Sequence, residues 1–378
     1  MKTVGIICEY NPFHNGHKKQ LDTIRAQLGR DCAIVCLMSG NFVQRGAPAI
    51  FHKSLRAQAA LFSGADLVLE LPVTYALSSA EGFAAGGVKI LGGFCDLLCF
   101  GTETGDAVAL ISAAKALLSD DFKDALRQQL DKGLSFPAAR AAALQEHSAL
   151  LQKPNDILAV EYCKAILLQK SAMQPMPILR QGDYHDTAAD LENPSATAIR
   201  NLLRSGESWS EYVPEEAGAL FRHAEAYTLA AGERSVLAKL RCMTDAEFEA
   251  LPYGSEGLWR KFMHACRSCD STQSIISETK SKRYTRTRID RMLMCAYLGI
   301  TKEMLESTPP YTRVLALNEK GRSVLKQARL TGSFPHVGEA MDDPYWALEQ
   351  RCADLYALFR TSSPAPAGQE AKQRVFFK

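Results

Sequence analysis

The stretch Thr3–His17, TVGIICEYNPFHNGH, decides how the rest of the chain is read. Thr3–Tyr10 is a continuous apolar run of the kind that fills a parallel sheet covered on both faces. The loop Asn11-Pro12-Phe13-His14-Asn15-Gly16-His17 follows at once and opens a helix over His17–Leu28. Such a loop lies at the carboxyl end of a central strand, where open α/β sheets bind ligands. It also lies at a helix N-terminus, whose N–H groups and dipole favour phosphate. His14 and His17, three residues apart, fall on one side of the first turn, and Gly16 permits close approach. Imidazoles there, cationic or N–H-donating, stabilise charge that grows on a phosphoryl group.

Outward from this stretch, apolar runs alternate with helical patterns. Cys32–Met38, Leu67–Leu71, Leu97–Phe100 and Met176–Arg180 read as strands. Ser54–Ser63, Ser78–Leu91, Asp106–Leu130 and Pro154–Gln169 read as the helices between and after them. Asn193-Pro194-Ser195 caps a further helix, Ala196–Leu203. This is an α/β fold: a Rossmann-like domain built on a parallel sheet over residues 1–205. Beyond Gly206 helical patterns dominate, as in Pro214–Ala231, Ser235–Leu240 and Arg288–Leu298, which places a mostly α-helical domain at 206–378.

The chain has 378 residues, 47% apolar and 23% charged, a soluble globular mix that excludes a disordered or disulfide-stapled chain. Net charge is +2, yet residues 280–378 hold 17 Lys and Arg against 10 Asp and Glu, while the remainder holds 27 against 32. A basic rear section suits a polyanionic partner. Lys280, Lys282, Arg283, Arg286, Arg288 and Arg291 crowd one segment around Tyr284, with Asp290 as its acid. Arg and Lys supply phosphate contacts, and Tyr or Arg planes stack on unpaired bases. Eleven cysteines, mostly in apolar surroundings, with no signal segment and no membrane-length apolar run, indicate a reduced, cytoplasmic protein. The pair Cys266 and Cys269 lacks the second pair a zinc site needs.

The residues alone leave several readings of the first loop open. Two histidines could bind a metal, but His-Glu-x-x-His is absent; a dinucleotide site needs Gly-x-Gly-x-x-Gly, also absent. His14–His17 resembles the His-x-Gly-His motif of the nucleotidyltransferase and class I aminoacyl-tRNA synthetase superfamily, with Asn11 in place of its usual Asp. Ser195–Arg200, SATAIR, resembles the Ile-Ser-x-x-x-Ile-Arg motif that closes the nucleotide site there. Over nearly the whole chain the resemblance is to bacterial tRNA(Met) cytidine acetate ligases. It is carried by Gly5–His17, Met38–Pro48 (MSGNFVQRGAP), Ala65–Pro72 (ADLVLELP) and Phe100–Asp106 (FGTETGD). Lys153–Ala159 (KPNDILA), Ile178–Tyr184 (ILRQGDY), Lys282–Arg291 (KRYTRTRIDR) and Arg313–Lys326 continue it.

That resemblance implies an ATP-dependent ligase. It would form acetyl-adenylate and pyrophosphate from ATP and acetate, then acetylate N4 of the wobble cytidine of elongator tRNA(Met). It implies catalytic roles for His14 and His17. It implies ATP contacts along Gly5, Ile6, Ile7, Cys8, Glu9, Tyr10, Asn11, Pro12, Phe13, His14, Asn15, Gly16, His17 and Lys18. Gly101, Asn155, Arg180, Ser195, Thr197 and Arg200 complete that set. Arg283, Tyr284, Arg286, Arg288 and Arg291 are the expected tRNA contacts. Mg2+ is expected with the ATP phosphates, without a legible ligand set. The loop Ser39–Gly46 is expected to position phosphates or the target cytidine, with Phe51, His52 and Lys53 at the site's mouth, whereas Asp66 and Glu70 read as structural acids. The competing enzyme reading is a small-molecule adenylyltransferase; the competing non-enzyme reading is an RNA- or nucleotide-binding protein without turnover. The oligomeric state and the base for acetyl transfer are unassigned.

Overall fold

The structure, a computed structural model, describes residues 1–180, 190–191, 194–307, 312–328 and 344–378. Its main sheet contains β1 (Thr3–Cys8), β2 (Ala33–Ser39), β5 (Leu67–Leu71), β6 (Leu97–Thr102) and β7 (Gln174–Leu179). These run parallel in the order β7-β6-β1-β2-β5, with Gly5 opposite Val35 and Cys8 opposite Met38. Every residue of β2 and β5 is buried, which is why both read as unbroken apolar runs. Helices Ala80–Leu91, Ala107–Leu118 and Pro154–Leu168 cover one face. Helices α1 (Asn15–Leu28) and α2 (Lys53–Phe62) cover the other. The small hairpin β3 (Phe42–Val43) and β4 (Ala47–Pro48) projects from the carboxyl edge.

Three features differ from the sequence reading. The pattern over Asp106–Leu130 is two helices, Ala107–Leu118 and Asp120–Asp131, because Ser119 takes extended backbone and its hydroxyl accepts from Phe122 N at 3.2 Å. Likewise Pro214–Ala231 divides into Glu215–Arg222 and the start of Leu229–Cys242. The sheet itself does not stop at residue 205. β8 (Arg313–Leu317) pairs antiparallel with β5, and β9 (Phe376–Phe377) pairs with β8. The physical reason is that β5 is buried and needs a partner along its second edge.

A buried ionic cluster secures this return. Lys53 Nζ lies 2.7 Å from Glu70 and 2.5 Å from Glu370, and Arg313 pairs with the same two carboxylates. Burial would raise the Glu370 carboxyl, yet Lys53 and Arg313 hold it down at about 2. Lys53 is therefore an anchor of the fold and not part of a site mouth. Glu70 is structural as expected, and so is Asp66, which pairs with Arg25 at 2.5 Å and accepts from Ile34 N. Between β5 and β8, helices from Leu229 to Leu298 build a second core that also takes in Phe42, Val73 and Leu77. Among the described residues no helix is long and apolar enough to cross a membrane.

Candidate active site

A cleft of about 440 Å³ opens at the carboxyl ends of β1 and β6. Its sheet-side wall is set by how the chain leaves β1. Tyr10 takes φ 46°, and Tyr10 and Phe13 bury their rings against His17 at 4.8 and 5.5 Å. His14 caps α1: its Nδ1 accepts from Gly16 N at 3.1 Å, and His17 Nδ1 accepts from His14 N at 3.2 Å. The two rings stack with centroids 3.6 Å apart.

This reciprocal cap decides the protonation of the pair. Both Nδ1 atoms accept main-chain N–H groups, so each neutral ring carries its proton on Nε2. Burial lowers His14 to about 3, helped by Arg180 and Arg200. Burial, then His14 and Arg180, lowers His17 well below the usual imidazole range. Of the two expected forms, the structure selects neutral N–H donors. It also changes how α1 meets an anion, because the Gly16 N–H is already taken and the donor left to each ring is its Nε2–H.

Arg200 joins them from helix Ala196–Ser205, which Ser195 caps by accepting from Ala198 N at 3.0 Å. Its guanidinium donates to Asn11 O at 2.6 Å and to Thr197 Oγ1 at 2.9 Å. Asn11 is itself fixed, its Oδ1 accepting from Ile50 N at 2.7 Å. Arg180 crosses Gly101 so closely that a Cβ there would lie 2.7 Å from Arg180 Cδ. Asn155 is oriented by Glu103 at 2.6 Å, and Asp156 accepts from Glu103 N and Thr104 N to hold the turn after β6.

The cleft therefore gathers Ile6, Ile7, Cys8, Glu9, Tyr10, Asn11, His14 and His17 with Gly101, Asn155, Arg180, Ser195, Thr197 and Arg200. Other expected residues serve the framework. Gly5 lies within the sheet beneath Leu91 and Cys95, and Phe13 is fully buried. Pro12 is buried in the turn and Gly16 is the cap partner of His14. Asn15 donates to Glu211 O at 2.9 Å, and Lys18 pairs with Asp22 on the outer surface of α1. Residues 181–184 of the ILRQGDY string and Asn193 lie outside the described residues.

The opposite wall comes from the hairpin and the helical segment. The hairpin turn is clamped: Gln44 N donates to Glu9 Oε1 at 2.7 Å. Gly46, at φ +75°, abuts the backbone of Asp290 and Arg291, where a Cβ would lie 2.4 Å away. Arg56, fully buried on α2, donates to the carbonyls of Phe51, Glu9, Ser39 and Gly40, tying together the turns that carry the site. The Ser39–Gly46 loop thus reaches the cleft as expected, contributing Gln44, Arg45 and Gly46. Phe51 instead stacks on Phe221 at 4.6 Å, and His52 caps α2.

Of the five basic-segment residues singled out, Arg286 alone lines the cleft among the described residues. Arg283 pairs with Glu256 at 2.8 Å, and Tyr284 donates to the same carboxylate. Arg288 donates to Tyr253 O and Ser255 Oγ, both at 2.9 Å, and lies over the Tyr284 ring. Arg291 lies over Tyr253 and donates to Gln44 O at 3.4 Å. Sequence reasoning missed Arg204, Phe83, Leu158, Tyr162, Tyr227 and Gln273, which also line the cleft. In all, five arginines (Arg45, Arg180, Arg200, Arg204, Arg286) face two carboxylates, Glu9 and Asp290, so the cleft suits a polyanion. Glu9 and Asp290 come from opposite walls, and no group of three or more His, Cys, Asp or Glu is placed to hold a metal among the described residues. The described residues of the cleft therefore do not fit a resident magnesium site held by three protein ligands.

The family model described as HIGH Nucleotidyl Transferase matches residues 1–371. A tRNA(Met) cytidine acetate ligase of Acetivibrio thermocellus is 35% identical and matches over 99% of both chains. The crystal structure of apo Thermotoga maritima TmcAL superposes with a TM-score of 0.90 at 31% identity, covering 100% of both chains. The same protein bound with alpha-thio ATP superposes at 0.89, again at 31% identity and with full coverage.

Proposed function

The chain belongs to the tRNA(Met) cytidine acetate ligase family of HIGH nucleotidyl transferases, and from that premise we propose how its cleft activates acetate with ATP and acetylates a tRNA cytidine. ATP lies on the sheet-side wall, with its purine against Phe83, Phe100, Leu158 and Tyr162 and its phosphates toward His14, His17, Arg180 and Arg200. Acetate is ionised at neutral pH, with a pKa of about 4–5, so its attack on the α-phosphorus needs no base. The demand is for donors around phosphate oxygens as pyrophosphate leaves. The Nε2–H groups of His14 and His17 answer it without bringing protons that titrate near neutrality. Arg200, held by the Asn11 carbonyl, adds a fixed cation, and Arg180 a second. Magnesium, where present, enters as part of the MgATP substrate, and no step here runs through it.

The second step transfers the acetyl group to N4 of the wobble cytidine of elongator tRNA(Met), releasing AMP. The observation that carries the reading is the reciprocally capped His14–His17 stack beside an arginine locked to Asn11. The test is mass spectrometry of tRNA nucleosides after incubation with ATP, labelled acetate and elongator tRNA(Met). Labelled N4-acetylcytidine at the wobble position, lost in His14→Ala, is expected. Pyrophosphate release without cytidine acetylation overturns the acceptor, and silence in both assays from a folded, ATP-binding protein overturns the reaction.

A further inference from the structure

The helical wall holds two groups that acetate activation leaves unused. Tyr227 stacks on Tyr356 with ring centroids 4.1 Å apart and 19° between planes. Tyr356 is buried, and its hydroxyl donates to Ala49 O at 2.8 Å; Tyr227 N donates to Ile50 O at 2.9 Å. The Tyr227 ring is thus a fixed platform, packed on Tyr356 and lining the cleft. Asp290 lines the same cleft from the first turns of helix Arg286–Leu298, its side chain 19% exposed and 3.5 Å from Arg286. The hairpin clamp at Gly46 sets the backbone of Asp290 against the turn that carries Arg45.

We propose that Tyr227 and Asp290 form the seat of the acceptor cytosine, with the ring stacking on the base and the carboxylate accepting the N4–H. This rests on the acetyl-transfer reading and extends it to the acceptor side. Unpaired bases are commonly held on aromatic faces, and Asp is a fitting acceptor for the cytosine amine. In the step, the N4 lone pair forms a bond to the acyl carbon of acetyl-adenylate. The acyl carbon–oxygen bond to the phosphate breaks, its electron pair leaves with AMP, and one N4 proton passes to Asp290. Burial raises the Asp290 carboxyl to about 6, against the pull of Arg286, Arg291 and Arg45. It is ionised at pH 7 and more basic than an ordinary aspartate, as a proton acceptor requires.

The experiment measures two rates on each enzyme: acetate-dependent exchange of labelled pyrophosphate into ATP, and acetylation of the tRNA(Met) anticodon stem-loop. Asp290→Asn is expected to lower the acetylation kcat by about 10²-fold while exchange continues. Tyr227→Leu, which stays apolar and removes the ring, is expected to raise KM for the stem-loop roughly 10-fold or more, whereas Tyr227→Phe, which keeps the ring, is expected to leave it near the wild-type value. Acetylation unimpaired in Asp290→Asn and Tyr227→Leu overturns the subsite, as does a parallel fall of both rates. A wild-type enzyme that exchanges pyrophosphate but acetylates no cytidine overturns instead the reading on which the subsite rests.

Discussion

The two walls of the cleft employ arginine in opposite ways. On the sheet side, Arg200 is fastened to Asn11 O and Thr197, and Arg180 lies over Gly101, so both guanidiniums stay within the cleft. On the helical side, Arg288 and Arg291 turn to Tyr253 and Arg283 turns to Glu256, leaving Arg286 at the cleft. The denser cluster in sequence is therefore the poorer in cleft-facing charge. What aims a guanidinium is the carbonyl or close backbone approach beside it, and residue spacing along the chain does not report that.

The largest expected effect lies beneath the hairpin that the walls share. Lys53→Met leaves Glu70 and Glu370 with Arg313 as their shared cation and should cost about 3–5 kcal/mol in denaturant unfolding. A loss near zero would mean that the hairpin's anchorage lies elsewhere. Next, His14→Ala should lower pyrophosphate exchange about 10²–10³-fold, and an equal fall in Arg286→Ala would erase the contrast between the walls. The histidines also give the sheet side a pH signature. With His14 at about 3 folded against 6.5 unfolded, the unfolded chain binds more protons below pH 6.5. Stability falls as pH drops from 6.5 toward 3, by up to about 1.4 kcal/mol per unit for such a group. Melting curves for wild type and His14→Ala should separate in slope across that window; parallel slopes would contradict a neutral, buried imidazole.

Smaller effects sharpen the helical side. Arg286→Ala should weaken stem-loop binding and reduce the salt slope by about one counterion, measured by titration at several salt concentrations. Arg283→Ala should leave that slope unchanged and alter stability by no more than ~1 kcal/mol, because its pair with Glu256 is exposed.

The β1–α1 turn was legible because its information is local: an apolar strand, a capped helix start and two histidines within one turn. The same holds for Ser195 as the cap of its helix. β8 was not legible, since RVLAL is five buried residues with no neighbouring strand in the chain, and its partner β5 lies more than 240 residues away. The helical wall escaped for the same reason. Tyr227 becomes a platform through Tyr356 and Ile50, and neither lies near it in sequence. Asn11 illustrates a substitution whose sense needed coordinates. Its amide oxygen receives the Ile50 N–H, so the position braces the loop.

The late strands β8 and β9 have a consequence for how the protein comes into being. A ribosome delivers the five parallel strands long before residues 313–377, so the nascent sheet waits with one flank of β5 bare and Lys53 facing Glu70 without Arg313 or Glu370. Such an open flank invites pairing with foreign strands. The ATP-side half is thus no independent module to be excised at residue 205, since its sheet is complete only when the final strands arrive.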